Sequence, residues 1–395
     1  YDNLNRVTTE TNAQSNARTY GYDAVGNVTS QTDRNGRLTN FTYDTLYRLT
    51  SELWKSGGST IRTISYAYDA AGELTSSSDA DSAYAYTYDA AGRVSTVDNN
   101  GTPNVPRVIL TSGYDNVNRR TSLSASVAGT ADFLNNYSYD ALDRMTQVKQ
   151  QGQSGGNSVA NKRVDLAYNA AGAYSSISRY ADLTGTNLVA STTYTYDSAD
   201  RLTNLSHDKG GTNLASYTWT YDTLGRLTGT TSPDGTDSYT YDKSGQVTAA
   251  THSYQTNESY TYDANGNRTN TGYTTGTNNR LTSDGTYNYT YDNEGNRTRK
   301  TKISDGSYTD YTWDHRNRLT DVTFKTSGGT TTKKVHYTYD VFGPGLEGEF
   351  QAGLPRRRCI KRREVQACGA KNGRSFSGGG FAPSTRRVCK NEKRK

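Results

Sequence analysis

A Tyr-Asp pair followed three residues later by Gly, Asn or Asp returns through most of this chain, and that recurrence constrains its fold more than any other feature. The anchor residues are Tyr1, Tyr22, Tyr43, Tyr68, Tyr88, Tyr114, Tyr139, Tyr168, Tyr196, Tyr221, Tyr241, Tyr262, Tyr291 and Tyr339, with Trp313 standing in once. They define 15 units spaced 20 to 29 residues apart. Around Tyr221 the unit reads as one β-hairpin. Tyr217, Trp219 and Tyr221 alternate with threonines, so a period of two puts the rings on one strand face. Asp222 to Gly225 supply turn chemistry, and Arg226-Leu227-Thr228 resume an extended pattern. A three-residue hairpin loop often ends in a left-handed residue that forms a G1 bulge, and Gly225 stands at that place. Four residues after the anchor every unit carries Gly, Asn or Asp except one, which has Tyr47. Those three residue types tolerate a positive φ. Seven residues after the anchor the first 14 units carry Thr or Ser.

These residues resemble the YD-repeat, or Rhs-repeat, family, whose unit runs x-Tyr-Asp-x-x-Gly-Arg-Leu-Thr. Tyr22 to Thr29, Tyr88 to Ser95 and Tyr221 to Thr228 follow it closely, and the resemblance covers residues 1–343. It implies an all-β fold, a spiralling antiparallel sheet of repeated hairpins forming part of a hollow shell. It also implies a secreted or surface-displayed bacterial protein whose repeats encapsulate or present a C-terminal toxin. The partners implied are that toxin or the remaining segments of the shell.

Composition agrees with an array. Hydrophobic residues make up 32% of the chain, and Tyr and Ala dominate that share, so a compact aliphatic core is not expected. Regularly placed aromatics argue against disorder, because disordered chains are poor in them. No apolar run approaches the roughly 20 residues that span a bilayer. The chain opens at Tyr1 inside a unit, without methionine or signal peptide, and so reads as a fragment. Open ends of such a sheet would leave strand edges unpaired, and the isolated fragment is expected to aggregate or dimerise.

Periodicity stops at Gly343. Residues 344–395 hold 14 Lys+Arg, 4 Asp+Glu and all three cysteines, and no tyrosine. Subtraction from 45 and 39 leaves the array 31 basic and 35 acidic residues, a net of −4 against +10 for the tail. Three readings of the tail compete. A frameshift producing out-of-frame sequence is favoured. A short variable effector is the second, although the Asp-Pro-x-Gly-Leu cleavage region of such toxins is missing. A disordered basic segment binding nucleic acid or an anionic surface through Arg356-Arg357-Arg358 and Lys361-Arg362-Arg363 is the third.

Chemistry is scarce. His207, His252, His315 and His336 have no metal-ligand neighbour at a familiar spacing. Asp263-Ala-Asn265-Gly-Asn267 opens like a calcium loop but lacks its glycine at the sixth position and its closing Glu. No cofactor motif and no catalytic constellation is read, and the expectation is a non-enzyme. The residues singled out carry the repeat: Tyr22, Asp23 and Gly26; Tyr88, Asp89, Gly92 and Arg93; Tyr196, Asp197 and Arg201; Trp219, Tyr221, Asp222, Gly225 and Arg226; Tyr262, Asp263 and Gly266; Tyr291, Asp292 and Gly295. The repeated Asp is expected to accept turn N–H bonds, and the Arg to pair with such an Asp across strands or to stack on tyrosine. Glycan binding by the tyrosine-rich face, as in an adhesin, is the alternative function.

Overall fold

The computed structural model describes residues 1–341. The expected boundary at Gly343 and every reading of the basic tail lie outside them. The described chain is all-β: 29 strands run from Thr9–Thr11 to Thr331–His336, with one 3-10 turn at Thr277–Asn279. Each strand pairs antiparallel with its sequence neighbours, so the chain is a continuous meander laid down in order. One interruption, between Glu258–Ser259 and Tyr273–Thr275, divides it into sheets of 22 and 7 strands.

The hairpin around Asp222 shows why the sequence folds this way. Thr212–Tyr221 pairs with Leu227–Ser232, with Thr218 opposite Thr231 and Tyr221 opposite Leu227. The register slips between Thr220 and Tyr221, which places a bulge beside the turn. Asp222 N–H donates to the Arg226 carbonyl, and Gly225 N–H donates to the Asp222 carbonyl. Gly225 has φ +81°, a conformation that costs L-residues a Cβ clash. The equivalent residue is left-handed in every described unit, and Tyr47 takes the same conformation at φ 62°. Backbone geometry is therefore conserved where residue type is not.

The strands alternate as their pattern requires. Residues just before the anchors, such as Thr220, Thr240, Thr290 and Thr312, are exposed. Each bonds the threonine of the returning strand: Thr220 to Thr228, Thr240 to Thr248, Thr290 to Thr298 and Thr312 to Thr320. This ladder explains the recurring Thr or Ser seven residues after the anchor. The opposite face carries the rings, with Tyr66, Tyr86 and Tyr289 buried. Few apolar residues are buried elsewhere, because the sheet is one layer thick over most of its length. The hydrophobic cluster joins Trp54, Ile64 and Tyr66 from the beginning of the chain to Val341 at the far end of the described residues.

Two segments rich in Gly, Ser, Asn or Thr, Gln150 to Asn161 and Tyr273 to Asn279, read from composition as surface loops, and the structure corrects both readings. Tyr273 to Asn279 is not simply a surface loop. Tyr273–Thr275 is a strand, Gly276 N–H donates to the Arg280 carbonyl, and Asn279 has φ 54°. It is a further unit whose tyrosine and aspartate have been replaced. The segment Gln150 to Asn161 likewise begins inside strand Met145–Gly152, so its loop is shorter than the composition suggests.

Candidate functional site

Two constructions carry the molecule: a ladder within the sheet and a seam where the sheet meets its own beginning. The ladder starts from Asp222. Its Oδ1 accepts the N–H groups of Leu224 and Arg226, and its Oδ2 accepts Arg226 Nε at 2.7 Å. Arg226 then reaches the next unit. Its Nη1 donates to the Asp242 carbonyl, and its guanidinium lies 4.6 Å over the Tyr241 ring. Going backwards, the Tyr221 hydroxyl donates to the Leu202 carbonyl, and Arg201 lies over the Tyr221 ring. The arginine thus pairs with the aspartate of its own turn and stacks on the tyrosine of the following one.

The other singled-out residues occupy the same places. Tyr22, Tyr88, Tyr196, Tyr262 and Tyr291 donate to the carbonyls of Val7, Leu74, Tyr174, Val247 and Leu281. Asp89 and Asp197 bind the Nε of Arg93 and Arg201 at 2.7 Å. Asp23, Asp263 and Asp292 bind the shorter side chains of Asn27, Asn267 and Asn296. Gly26, Gly92, Gly266 and Gly295 all have positive φ. Trp219 stacks on Tyr217 with centroids 6.3 Å apart. Because the anchor hydroxyls bond backbone carbonyls, they serve the joint between successive hairpins. For Asp222, Asp44 and Asp2 the turn N–H groups, partly opposed by desolvation and reinforced by the neighbouring guanidinium, hold the carboxyl below its ordinary range.

The seam was not foreseen from the sequence. Hairpin turns on the opposite edge of the ribbon, within residues 12–82, dock against the row of Tyr-Asp turns within residues 277–341. Asp33-Arg34-Asn35-Gly36-Arg37 forms one such turn, closed by Arg37 Nε on Asp33 Oδ2 at 2.5 Å. It enters between the turns at Asp292 and Asp314. Asn35 donates to Asp292 Oδ2, Asn293 N–H donates to Asn35 Oδ1, and Arg34 N–H donates to Glu294 Oε1. Arg37 bonds the carbonyls of Trp313 and Asp314 and donates to Asn317 Oδ1 at 2.8 Å. In an ordinary unit the ladder arginine caps the next aspartate's carbonyl. Here that position holds Asn296, too short to reach it, and Arg37 arrives from the other spiral layer to do so.

Charge is paired across the seam. Glu294, with a side chain 3% exposed, receives Arg18 and Arg34. Burial alone would raise its carboxyl, but the Arg34 amide and the two guanidinia hold it below its ordinary range. Glu52 receives Arg316 at 2.5 Å, and Arg316 also donates to the Tyr66 hydroxyl and the Val341 carbonyl. Trp54 stacks on His315, and Val341 N–H donates to Ser82 Oγ. An open cleft of about 620 Å³ lies here, lined by Arg37, Trp54, Lys55, Arg62, Trp313 and His315. The sequence carried two signals for the seam. Asp33 to Thr39 is the repeat turn without its tyrosine, and Asn279-Arg280-Leu281-Thr282 is a unit's second half without its first.

Among the described residues no cluster of His, Cys, Asp or Glu could hold a metal ion, and no helix is long and apolar enough to cross a membrane. The geometry defines an all-β array of hairpin repeats whose layers are joined edge to edge. The RHS Repeat family model matches residues 1–30, 22–53, 62–103 and 221–256. Those segments of the chain carry RHS repeats. Among solved structures, the TcdB2-TccC3-Cdc42 complex is similar at 15% identity and a TM-score of 0.38, covering 84% of this chain and 18% of that one. TcdB2-TccC3 without its hypervariable C-terminal region is similar at 15% identity and 0.40, covering 82% and 17%. The Photorhabdus luminescens Tc holotoxin pore is similar at 17% identity and 0.35, covering 83% and 17%. This chain spans less than a fifth of each of those chains. No curated protein matches it.

Proposed function

We propose that this chain is a non-enzymatic wall segment of a secreted or surface-displayed toxin carrier, and that its array encloses a C-terminal toxin. The observation that supports this reading is the seam. A ribbon that docks on its own beginning after about 260 residues makes a wall around a space. About 23 strands separate the hairpin at Arg37 from its docking site. At roughly 4.8 Å per strand the circuit is roughly 110 Å, or about 35 Å across. The residues singled out in the repeat act in this reading as wall joints, with no catalytic part.

The test is to fuse a small reporter enzyme to the C-terminus of the full chain and digest the fusion with trypsin at neutral pH. Enclosure predicts that the reporter survives while the same reporter, mixed in as a free protein, is degraded. Digestion at the free rate would sink the enclosing role.

A further inference from the structure

The seam contains an ionisable group that the joint between layers does not neutralise. His315 stacks on Trp54 with ring centroids 5.0 Å apart and planes 12° from parallel. Its Nε2 lies 3.1 Å from the Lys55 carbonyl, which only an N–H can satisfy, so the neutral ring donates there and leaves Nδ1 bare. Charged groups face it from every element packed around it. From its own turn come Asp314, bound to Arg318, and Arg316, bound to Glu52. From the opposite-edge turn comes Arg37, bound to Asp33. From strand Ser59–Tyr68 comes Arg62, 5.3 Å over the Trp54 ring and bound to Asp79 and Asp81. The Lys55 ammonium is turned to the Thr60 hydroxyl. Each of these carboxylates is already committed to a guanidinium. A proton on His315 therefore adds a charge that Asp33 and Asp314 offset only in part.

We propose that the seam is an acid-sensitive latch, in which protonation of His315 separates the two spiral layers while the hairpins within each layer stay paired. The weakness is local by construction. Successive hairpins share continuous ladders of backbone hydrogen bonds, whereas the layers meet through side chains and a few turn amides. Trp54 is the aromatic centre of that meeting, and His315 covers one of its faces.

The direction follows from linkage. Burial, with a contribution from Arg37, outweighs the Lys55 carbonyl and the Asp33 and Asp314 carboxylates and lowers the proton affinity of His315 in the closed seam below its ordinary value of 6.5. An opened seam returns the ring to water and to that value. The open form then binds more protons, so the closed form loses stability as pH falls through about 6.5, and the loss levels off below the closed-state value. Each unit of difference corresponds to about a tenfold change in the opening equilibrium.

Three backbone amides report the seam directly, because Arg34, Asn293 and Val341 donate across it to Glu294, Asn35 and Ser82. Their hydrogen exchange, corrected for the intrinsic pH dependence, is measured on the full chain at about pH 7.5 and about pH 5.5. The expected result is a clear protection loss at the lower pH, with about tenfold as the ceiling for one group whose open-state value is 6.5. The Gly225 amide, bonded within its own turn, keeps its protection. In His315→Gln, whose amide can still donate to Lys55 without titrating, the seam amides lose their pH dependence. Equal protection at both pH values in the native chain overturns the proposal, as does an undiminished pH response in the variant. Should that substitution open the seam at every pH, the ring of His315 is titrated by NMR in the native chain. A value at or above 6.5 in the closed state overturns the latch, and a lower one upholds it.

Discussion

At the scale of single residues, a tyrosine that follows an arginine-bearing unit does two things that phenylalanine could not do together. Its ring receives the arginine of the preceding unit, and its hydroxyl reaches back to that unit's backbone. Trp313 keeps the second function in a different shape, since its Nε1 donates to the Arg297 carbonyl, while the preceding unit carries Asn296 in place of the arginine. Tyr221→Phe retains the ring and removes the donor. It is expected to destabilise the array by about 1 kcal/mol, read as a shift in the urea midpoint. An unchanged midpoint would mean that the hydroxyl contributes nothing beyond its contact with water. The aspartates set the acid limit. Their folded-state values lie below the ordinary 3.8, so the stability they contribute is present above that value and is lost as pH falls through the folded values. Thermal unfolding followed from about pH 5 to about pH 2 should show the array losing stability mainly below about 4. A midpoint that stays level through that range would count against the carboxylates as the acid-sensitive joint.

At the scale of the hairpin, sequence and structure agree where physics leaves one solution. A left-handed residue must close this turn, and Gly, Asn or Asp mark it in every unit but one. The period of two then fixes which face carries rings and which carries threonines, so strand placement was legible without coordinates. What escaped was the turn chemistry used out of context. Arg37 sits in a turn with the repeat's Asp-x-x-Gly-Arg spacing, yet no tyrosine precedes it and it points from the other edge of the ribbon. Asn279 and Arg280 keep the second half of a unit whose first half has gone. Anchoring the alignment on Tyr-Asp hides both. Tyr47 is the converse case, a bulky residue held at φ 62° by the turn around it. Tyr47→Gly relieves that strain, worth about 1–2 kcal/mol, against about 0.5–1 kcal/mol of added chain entropy. A small rise in thermal stability is expected, and a fall would show that the exposed ring contributes packing of its own.

At the scale of the whole molecule, local and long-range order separate. Each hairpin touches only its neighbours along the ribbon, as in other repeat arrays, so damage within one unit spreads little. The seam obeys a different rule, because its partners lie more than 250 residues apart in the chain. One exchange contributes to its pairing: Asn296 stands where a ladder arginine would cap the Asp314 carbonyl, and Arg37 supplies that guanidinium from across the seam. None of this follows from the pattern of a single unit, since the period says how strands pair but not how many of them complete a circuit. Arg37→Gln tests the consequence. It leaves Asp33, only 5% exposed, without its cation, a loss of about 3 kcal/mol or more. That cost falls on the seam, so the radius of gyration in solution should rise while circular dichroism keeps its strand signal. Arg93→Gln removes a guanidinium from the ladder and serves as the comparison, because Arg93 bonds only adjacent turns. If both substitutions left the dimensions of the molecule alike, Arg37 would be one more rung, and closure of the wall would have to come from the aromatic contact between Trp54 and His315.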